Sequence, residues 1–140
     1  MSAKIFKARH AMGSVVRGPA LVANDGFSAR YDLDRIKGIF SRPAHKLAGK
    51  SYVGKILVLD TAKGGVATAW MLHEMKSRGI VPLALVLNSV NPILAQGAVF
   101  AGVALVDRCA DGDVTPLIRS GDRLRVDPER GLVEILDRNA

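Results

Sequence analysis

Cysteine is almost absent from this chain: Cys109 is the only one. No disulfide can form within the chain, and no zinc site can be built on several thiolates. A single thiol agrees with a reducing compartment. Aromatic residues make up 5%, with one tryptophan, so platforms for stacking nucleobases are scarce. No apolar run approaches the ~18 residues of a spanning helix, and the stretch from Met1 to His10 is too polar for a signal peptide. These absences lead to the expectation of a soluble, cytoplasmic chain with no membrane partner. Neither G-x-x-x-x-G-K-[ST] nor G-x-G-x-x-G occurs, and no Ser/His/Asp spacing or set of metal ligands stands out.

Charge of one sign is in excess but not clustered. Twenty Lys and Arg stand against thirteen Asp and Glu, a net charge of +7, with a pI near 10.0. The basic residues are scattered singly, with no Lys/Arg block, so nucleic acid is not the expected partner. The plain reading is a soluble surface with a basic bias. An anionic small-molecule substrate and an acidic protein partner are the functional alternatives.

Against these absences stands an ordinary globular composition, 49% apolar and 24% charged over 140 residues. One domain over 1–140 is expected, long enough to bury a core without staples. Lys4 to Arg9 alternates like a strand. Pro19 to Ala23 is a short apolar run ending in the turn-forming Asn24-Asp25-Gly26. Residues 24–50 are polar and read as a long loop, which in a small domain is often functional. Lys55–Asp60 reads as a buried strand, Val66–Arg78 as a helix closed by Gly79, and Pro82–Leu87 as a second buried strand. Pro92–Ala101 reads as a helix with Asn91 as its cap, and Val103–Asp107 as a third strand. This order implies parallel strands with right-handed crossovers, and near-continuous apolar strands are covered on both faces. Arg123–Asp127 and Leu132–Leu136, separated by Pro128-Glu-Arg-Gly131, form a terminal hairpin. The fold class is α/β: a short parallel strand–helix unit packed with an antiparallel β layer.

The strongest local candidate for chemistry is Asp60-Thr-Ala-Lys-Gly-Gly-Val-Ala-Thr68, between a buried strand and a helix start. Open α/β sheets bind ligands at the carboxyl ends of their strands, and free N–H groups at a helix N-terminus favour anions. Lys63 would add a charge, Gly64 and Gly65 close backbone approach, and Thr68 a hydroxyl. A tight turn into a well-packed helix remains the alternative. His73 shares a helix face with Trp70 and Val66 by i, i+3/i+4 spacing, an arrangement more typical of core or interface than of a ligand. His45 follows Pro43 in the polar loop, where a structural and a ligand role stand level. Asp32 and Asp34 would face the same way in an extended stretch, or lie in a solvated loop.

The order of these motifs resembles the small, swivelling subunit of the aconitase X family, from about Gly18 to Val106 and again in the terminal hairpin. The family's turn, approximately G-R-G-S-S-T, corresponds to Ala62-Lys-Gly-Gly-Val-Ala67. Its G-x-a-P-x-A-x-v stretch corresponds to Gly79-Ile-Val-Pro-Leu-Ala-Leu-Val86. Its G-A-x-x-A-G-x-x-x-V-D corresponds to Gly97-Ala98 through Ala101-Gly102 to Val106-Asp107. An S-F-W-G-G-x-D loop corresponds loosely to Ser28–Asp34, and its later histidine to His45.

The resemblance implies a swivelling β/β/α domain that closes over a large catalytic subunit. The pair would act as a hydro-lyase on a hydroxy acid such as cis-3-hydroxy-L-proline or phosphomevalonate. The iron or iron–sulfur centre would belong to the large subunit, with no cofactor or metal in this chain. It further implies that Lys63, Gly64, Gly65 and Thr68 line the site, joined by Ser28, Arg30 and His45 from the polar loop. The leading expectation is a hydroxyproline-like carboxylate substrate, with a phosphomevalonate dehydratase-like small subunit as the alternative. The isolated chain is expected to be inactive. One departure matters: Gly65 stands where the family has serine, so a proton-transfer role cannot be carried over to that position, while binding by its backbone N–H remains. The phosphohistidine swivelling domain is also similar in outline, but Gly64-Gly65-Val-Ala-Thr-Ala69 lacks the histidine of its G-G-x-T-S-H turn. A non-enzymatic binding or regulatory module on the same fold is the rival from another class.

Overall fold

The structure, a computed structural model, describes residues 4–27, 32–62, 66–90, 92–109 and 112–137. Its strands are β1 (Lys4–Met12), β2 (Val16–Val22), β3 (Gly26–Phe27), β4 (Leu33–Asp34), β5 (Ile39–Phe40), β6 (Ile56–Ala62), β7 (Ala84–Ser89), β8 (Ala104–Cys109), β9 (Arg123–Asp127) and β10 (Leu132–Asp137). Helix α1 (Val66–Ser77) joins β6 to β7, and α2 (Pro92–Phe100) joins β7 to β8. The expected strands and helices are all present, with ends that coincide or are displaced by up to three residues; Asn91, the expected cap of the second helix, lies outside the described residues.

Their arrangement differs from two separate layers. Eight strands form one sheet in the order β2-β9-β10-β1-β8-β7-β6-β3, and an additional β2–β6 pairing closes every strand but β3 into a ring. β6, β7 and β8 are mutually parallel, as is the β2–β6 pair. β1, β9 and β10 make antiparallel pairs. The terminal hairpin is therefore part of the wall of a barrel, not a layer packed beside the parallel unit.

Alternation along the strands produces two cores. Ile56 and Val58, Ala84 and Val86, and Ala104 and Val106 join Phe6, Leu124, Val126 and Val133 in the cluster enclosed by the ring. Leu57 and Leu59, Leu85 and Leu87, and Leu105 point the other way, onto Leu72 and Met75 of α1 and Leu94 and Ala98 of α2. Both faces are covered, which is why these strands are apolar without a break. The two helices end by the same device. Gly79 and Gly102 adopt φ of 73° and 72°. The N–H groups of Ile80 and Val103 then reach back five residues to the carbonyls of Met75 and Ala98.

The polar stretch after β2 is more ordered than a plain loop. Its β3 pairs with the end of β6, β4 and β5 form a small hairpin, and Phe27, Phe40, Leu47 and Tyr52 join the helix-side core. Tyr52 is fully buried, edge-on to Phe40 at 6.1 Å, and its hydroxyl has no hydrogen-bond partner among the described residues. Burial pushes this phenol up to about 12, with Arg35 pulling it down and Asp34 adding to the rise. A buried polar group left unpaired costs about 1–3 kcal/mol. Tyr52→Phe should therefore hold or raise stability in urea unfolding, whereas Leu85→Ala, which hollows the helix-side core, should cost about 2–5 kcal/mol. A loss above about 1 kcal/mol in Tyr52→Phe would mean that the hydroxyl is satisfied.

Candidate functional site

The parallel strands place one end of the barrel where ligands of α/β sheets collect. Gly26 pairs with Thr61 and Phe27 with Ala62, so the polar loop and the glycine-rich turn leave adjacent, register-matched residues. Ser28 and Arg30 follow the first, and Lys63, Gly64 and Gly65 the second; all five lie outside the described residues. Thr68 is the third residue of α1, and its side chain is likewise outside them. Of the expected site residues, the structure places His45.

His45 is buried, with a fully covered side chain. The Leu47 N–H donates to its Nδ1 at 3.0 Å, so Nε2 carries the proton and donates to the Gly26 carbonyl at 2.7 Å. The ring stacks on Phe40 at 4.6 Å. Both nitrogens are thus engaged within the chain, and the imidazole caps the carbonyl at the start of β3. The Asp25 and Asp32 carboxylates stand 3.9 and 4.0 Å from Nε2.

These two carboxylates are joined by Arg42, which the sequence reading did not single out. Its Nε donates to Asp32 Oδ1, and its Nη2 lies 3.6 Å from Asp25 Oδ1. Asp25 also accepts from the N–H groups of Gly26 at 2.8 Å and Lys46 at 3.1 Å. Burial alone would raise the Asp25 carboxyl, but these two N–H groups above all hold it below its ordinary 3.8. Asp32 and Asp34 do not act as a pair. Asp32 is buried against Arg42, while Asp34 turns outward and accepts the N–H groups of Ile36 and Lys37 at 3.0 Å each.

A second polar network joins the ends of β6 and β7. Thr61 donates its hydroxyl to the Ser89 carbonyl at 3.1 Å, and Ser89 donates to Thr61 Oγ1 at 3.2 Å. The Asn88 amide donates to Asp60 Oδ1 at 3.0 Å and to Asp113 Oδ1 at 2.8 Å. Asp113 also accepts from the Thr115 hydroxyl at 2.7 Å and its N–H at 3.0 Å. The Thr115 hydroxyl, followed by Asn88 and the Thr115 N–H, outweighs the effect of burial and lowers the Asp113 carboxyl below 3.8.

The remaining candidates are dispersed. His73 meets Trp70 edge-on at 6.2 Å, but Trp70 is 69% exposed, so this pair sits on the surface and not in the core. His10 is paired with the buried Asp107 at 3.0 Å on the neighbouring strand. Cys109 is buried. Among the described residues, no group of three or more His, Cys, Asp or Glu is arranged to hold a metal ion, and no helix is long and apolar enough to cross a membrane.

The family model described as the aconitase X swivel domain matches residues 5–135. The chain belongs to this family. It is similar to the phosphomevalonate dehydratase small subunit of Methanococcoides burtonii, 32% identical over 124 residues, covering 89% of this chain and 90% of that one. It is also 30% identical over 132 residues to the protein of the same description from Methanothrix thermoacetophila, covering 94% and 95%. Among solved structures, it is similar to the crystal structure of Thermococcus kodakaraensis aconitase X in its holo-form. The TM-score is 0.86 at 28% identity, covering 96% of this chain and 99% of that one. The swivelling α/β fold expected from the motifs is the fold of this family. The two helices, the paired ends of β3 and β6, and all of the barrel but the first residue of β1 and the last two of β10 fall within the matched residues.

The Asp113 carboxyl titrates below its ordinary value in the folded chain. It therefore stabilises the fold above pH 3.8, and that contribution disappears as pH falls through the folded value. In urea unfolding, Asp113→Asn should lose less stability than the wild type between about pH 5 and pH 3, since the pH dependence of the group goes with its proton. Parallel curves would show that the Thr115 and Asn88 bonds do not favour the ionised carboxylate.

Proposed function

We propose that this chain is the small subunit of an aconitase X-type hydro-lyase acting on phosphomevalonate or a closely similar phosphorylated hydroxy acid. The observation that carries this reading is the likeness to phosphomevalonate dehydratase small subunits along nearly their whole length. It favours the phosphorylated substrate over the hydroxyproline-like one. The net charge of +7 suits a substrate carrying both a carboxylate and a phosphate.

In this reading the chain closes over the active site of a large subunit that holds the iron or iron–sulfur centre, whose chemistry is the large subunit's own. Backbone N–H groups at Gly64, Gly65 and the start of α1 bind an anionic group, and Lys63 adds charge. Thr68, Ser28 and Arg30 complete the contacts, with Arg30 able to grip a carboxylate or phosphate bidentately. His45 serves from behind by holding the Gly26 carbonyl. Closure excludes water from the reacting centre. Gly65 supplies no hydroxyl, so this position moves no proton. That same residue is what favours the second reading, a binding or regulatory module on the same fold.

The test is co-expression with its large subunit, followed by assay of water loss from phosphomevalonate and from cis-3-hydroxy-L-proline. The complex should dehydrate phosphomevalonate, and the isolated chain should dehydrate neither. A complex that assembles and is inactive on both would overturn the dehydratase reading in favour of the module.

A further inference from the structure

The polar loop is fastened at two points to one template, the segment 41–47. At the first point, Asp25 pairs by charge with the Arg42 Nη2 at 3.6 Å and accepts the Lys46 N–H, and the neighbouring Gly26 carbonyl takes His45 Nε2. At the second, the Asp32 carboxylate takes the Arg42 Nε, and the Asp32 carbonyl takes the Ser41 N–H at 2.7 Å and the Arg42 N–H at 3.3 Å. Two side chains reach both points: His45, whose Nε2 stands 3.9 Å from Asp25 and 4.0 Å from Asp32 while bonding the Gly26 carbonyl, and Arg42, whose charge pairs with both carboxylates. The Arg42 guanidinium suits this work, since a planar fork serves two acceptors at fixed angles where an ammonium is a point charge.

We propose that Arg42 is a positioning residue of the substrate site: by joining Asp25 to Asp32 it fixes the two chain positions that bracket residues 26–31, and with them the end of β3. The pairing of Gly26 with Thr61 and Phe27 with Ala62 passes this constraint to the end of β6, immediately before the glycine-rich turn. Arg42 touches no substrate in this account; it holds the described residues on either side of the loop. The effect on substrate rests on the dehydratase reading, while the effect on the loop does not. Asp32 is nearly buried, and the pair is partly shielded from solvent and salt. The Arg42–Asp32 pair therefore differs from Arg78–Glu74 and Arg35–Glu74, whose shared acid is half exposed.

Two measurements test this. Hydrogen exchange on the full-length chain reads the loop directly. Arg42→Gln should speed exchange of the Gly26, Ser41 and Lys46 amides by about tenfold or more and leave the amides of β7 and β8 unchanged. Unchanged exchange at all three would overturn the proposal. In the assembled enzyme, Arg42→Gln should raise KM for phosphomevalonate by about ten- to a hundredfold with a much smaller change in kcat. Arg42→Lys should fall between the variant and the wild type. The double variant Arg42→Gln with Asp32→Asn leaves no buried carboxylate unpaired and so guards against simple unfolding. It should show the same rise in KM, because the link to Asp25 is gone. A folded double variant with the wild-type KM, or a fall in kcat at constant KM, would overturn the positioning role. If the wild-type complex does not turn over phosphomevalonate, the dehydratase reading fails alone and the exchange measurement still decides the role of Arg42.

Discussion

The constraint on which this structure depends is that β6 is paired along both edges. β7 lies on one side, in parallel register from Ile56↔Ala84 to Thr61↔Ser89. On the other side, β2 takes the first half of the strand and β3 the second. A strand paired on both edges and covered on both faces has no room for a polar side chain until it emerges. Ile56 to Leu59 is accordingly apolar without a break, and Asp60 and Thr61 appear only near its end. The same double pairing closes the ring, because β2 carries the chain across to β9. It also decides where the polar loop must stand. The segment that runs from β2 into β3 along the edge of β6 can only be released at the carboxyl end of the parallel strands.

Individual elements were legible in the sequence because they carry their own punctuation. The Lys55–Asp60 and Pro82–Leu87 runs are bounded by glycine and proline, and the helices end at Gly79 and Gly102, whose positive φ angles close both helices in the same way. Ring closure was not legible. It depends on Ala20–Val22 meeting Ile56–Val58 and Val16–Pro19 meeting Arg123–Val126, pairings between segments far apart in the chain with nothing local to announce them. An antiparallel hairpin reads the same whether it lies beside a parallel unit or in the wall of a barrel. The difference lies in which faces are buried, and here the inward residues of both belong to one cluster.

Of the candidate site, the sequence shows the expected place more than the parts. A glycine-rich turn between a buried strand and a helix points to the carboxyl end of the sheet from sequence alone. His45 stood out as a histidine in a polar loop, but its two ring nitrogens are spent on Leu47 and Gly26. Arg42 did not stand out because its partners are seven residues apart from each other, and each looks like an ordinary surface acid. Asp32 and Asp34, two apart, invite a joint reading, yet one is buried in an ion pair and the other terminates a turn. Electrostatic ties of this kind leave no periodicity in the sequence.

The fold does not itself fix a reaction, and this chain shows how the distinction is drawn. The barrel and its helices are shared along the whole family match, while the turn after β6 carries Gly64 and Gly65, residues with no side-chain chemistry to offer. What such a turn contributes is backbone, which serves only if it is held where a ligand's charge falls, since oriented N–H groups act through their placement. The described residues beside the turn are held by two independent sources: the hydrogen-bonded register of β3 on β6, and the ion pairs and hydrogen bonds that clip the polar loop to 41–47. A side-chain hydroxyl tolerates small errors by rotating to meet its ligand; a backbone N–H cannot. In the proposed reading, a glycine at position 65 leaves the turn dependent on its anchoring, and the bonds around Arg42 and His45 hold the described residues on either side of the polar loop.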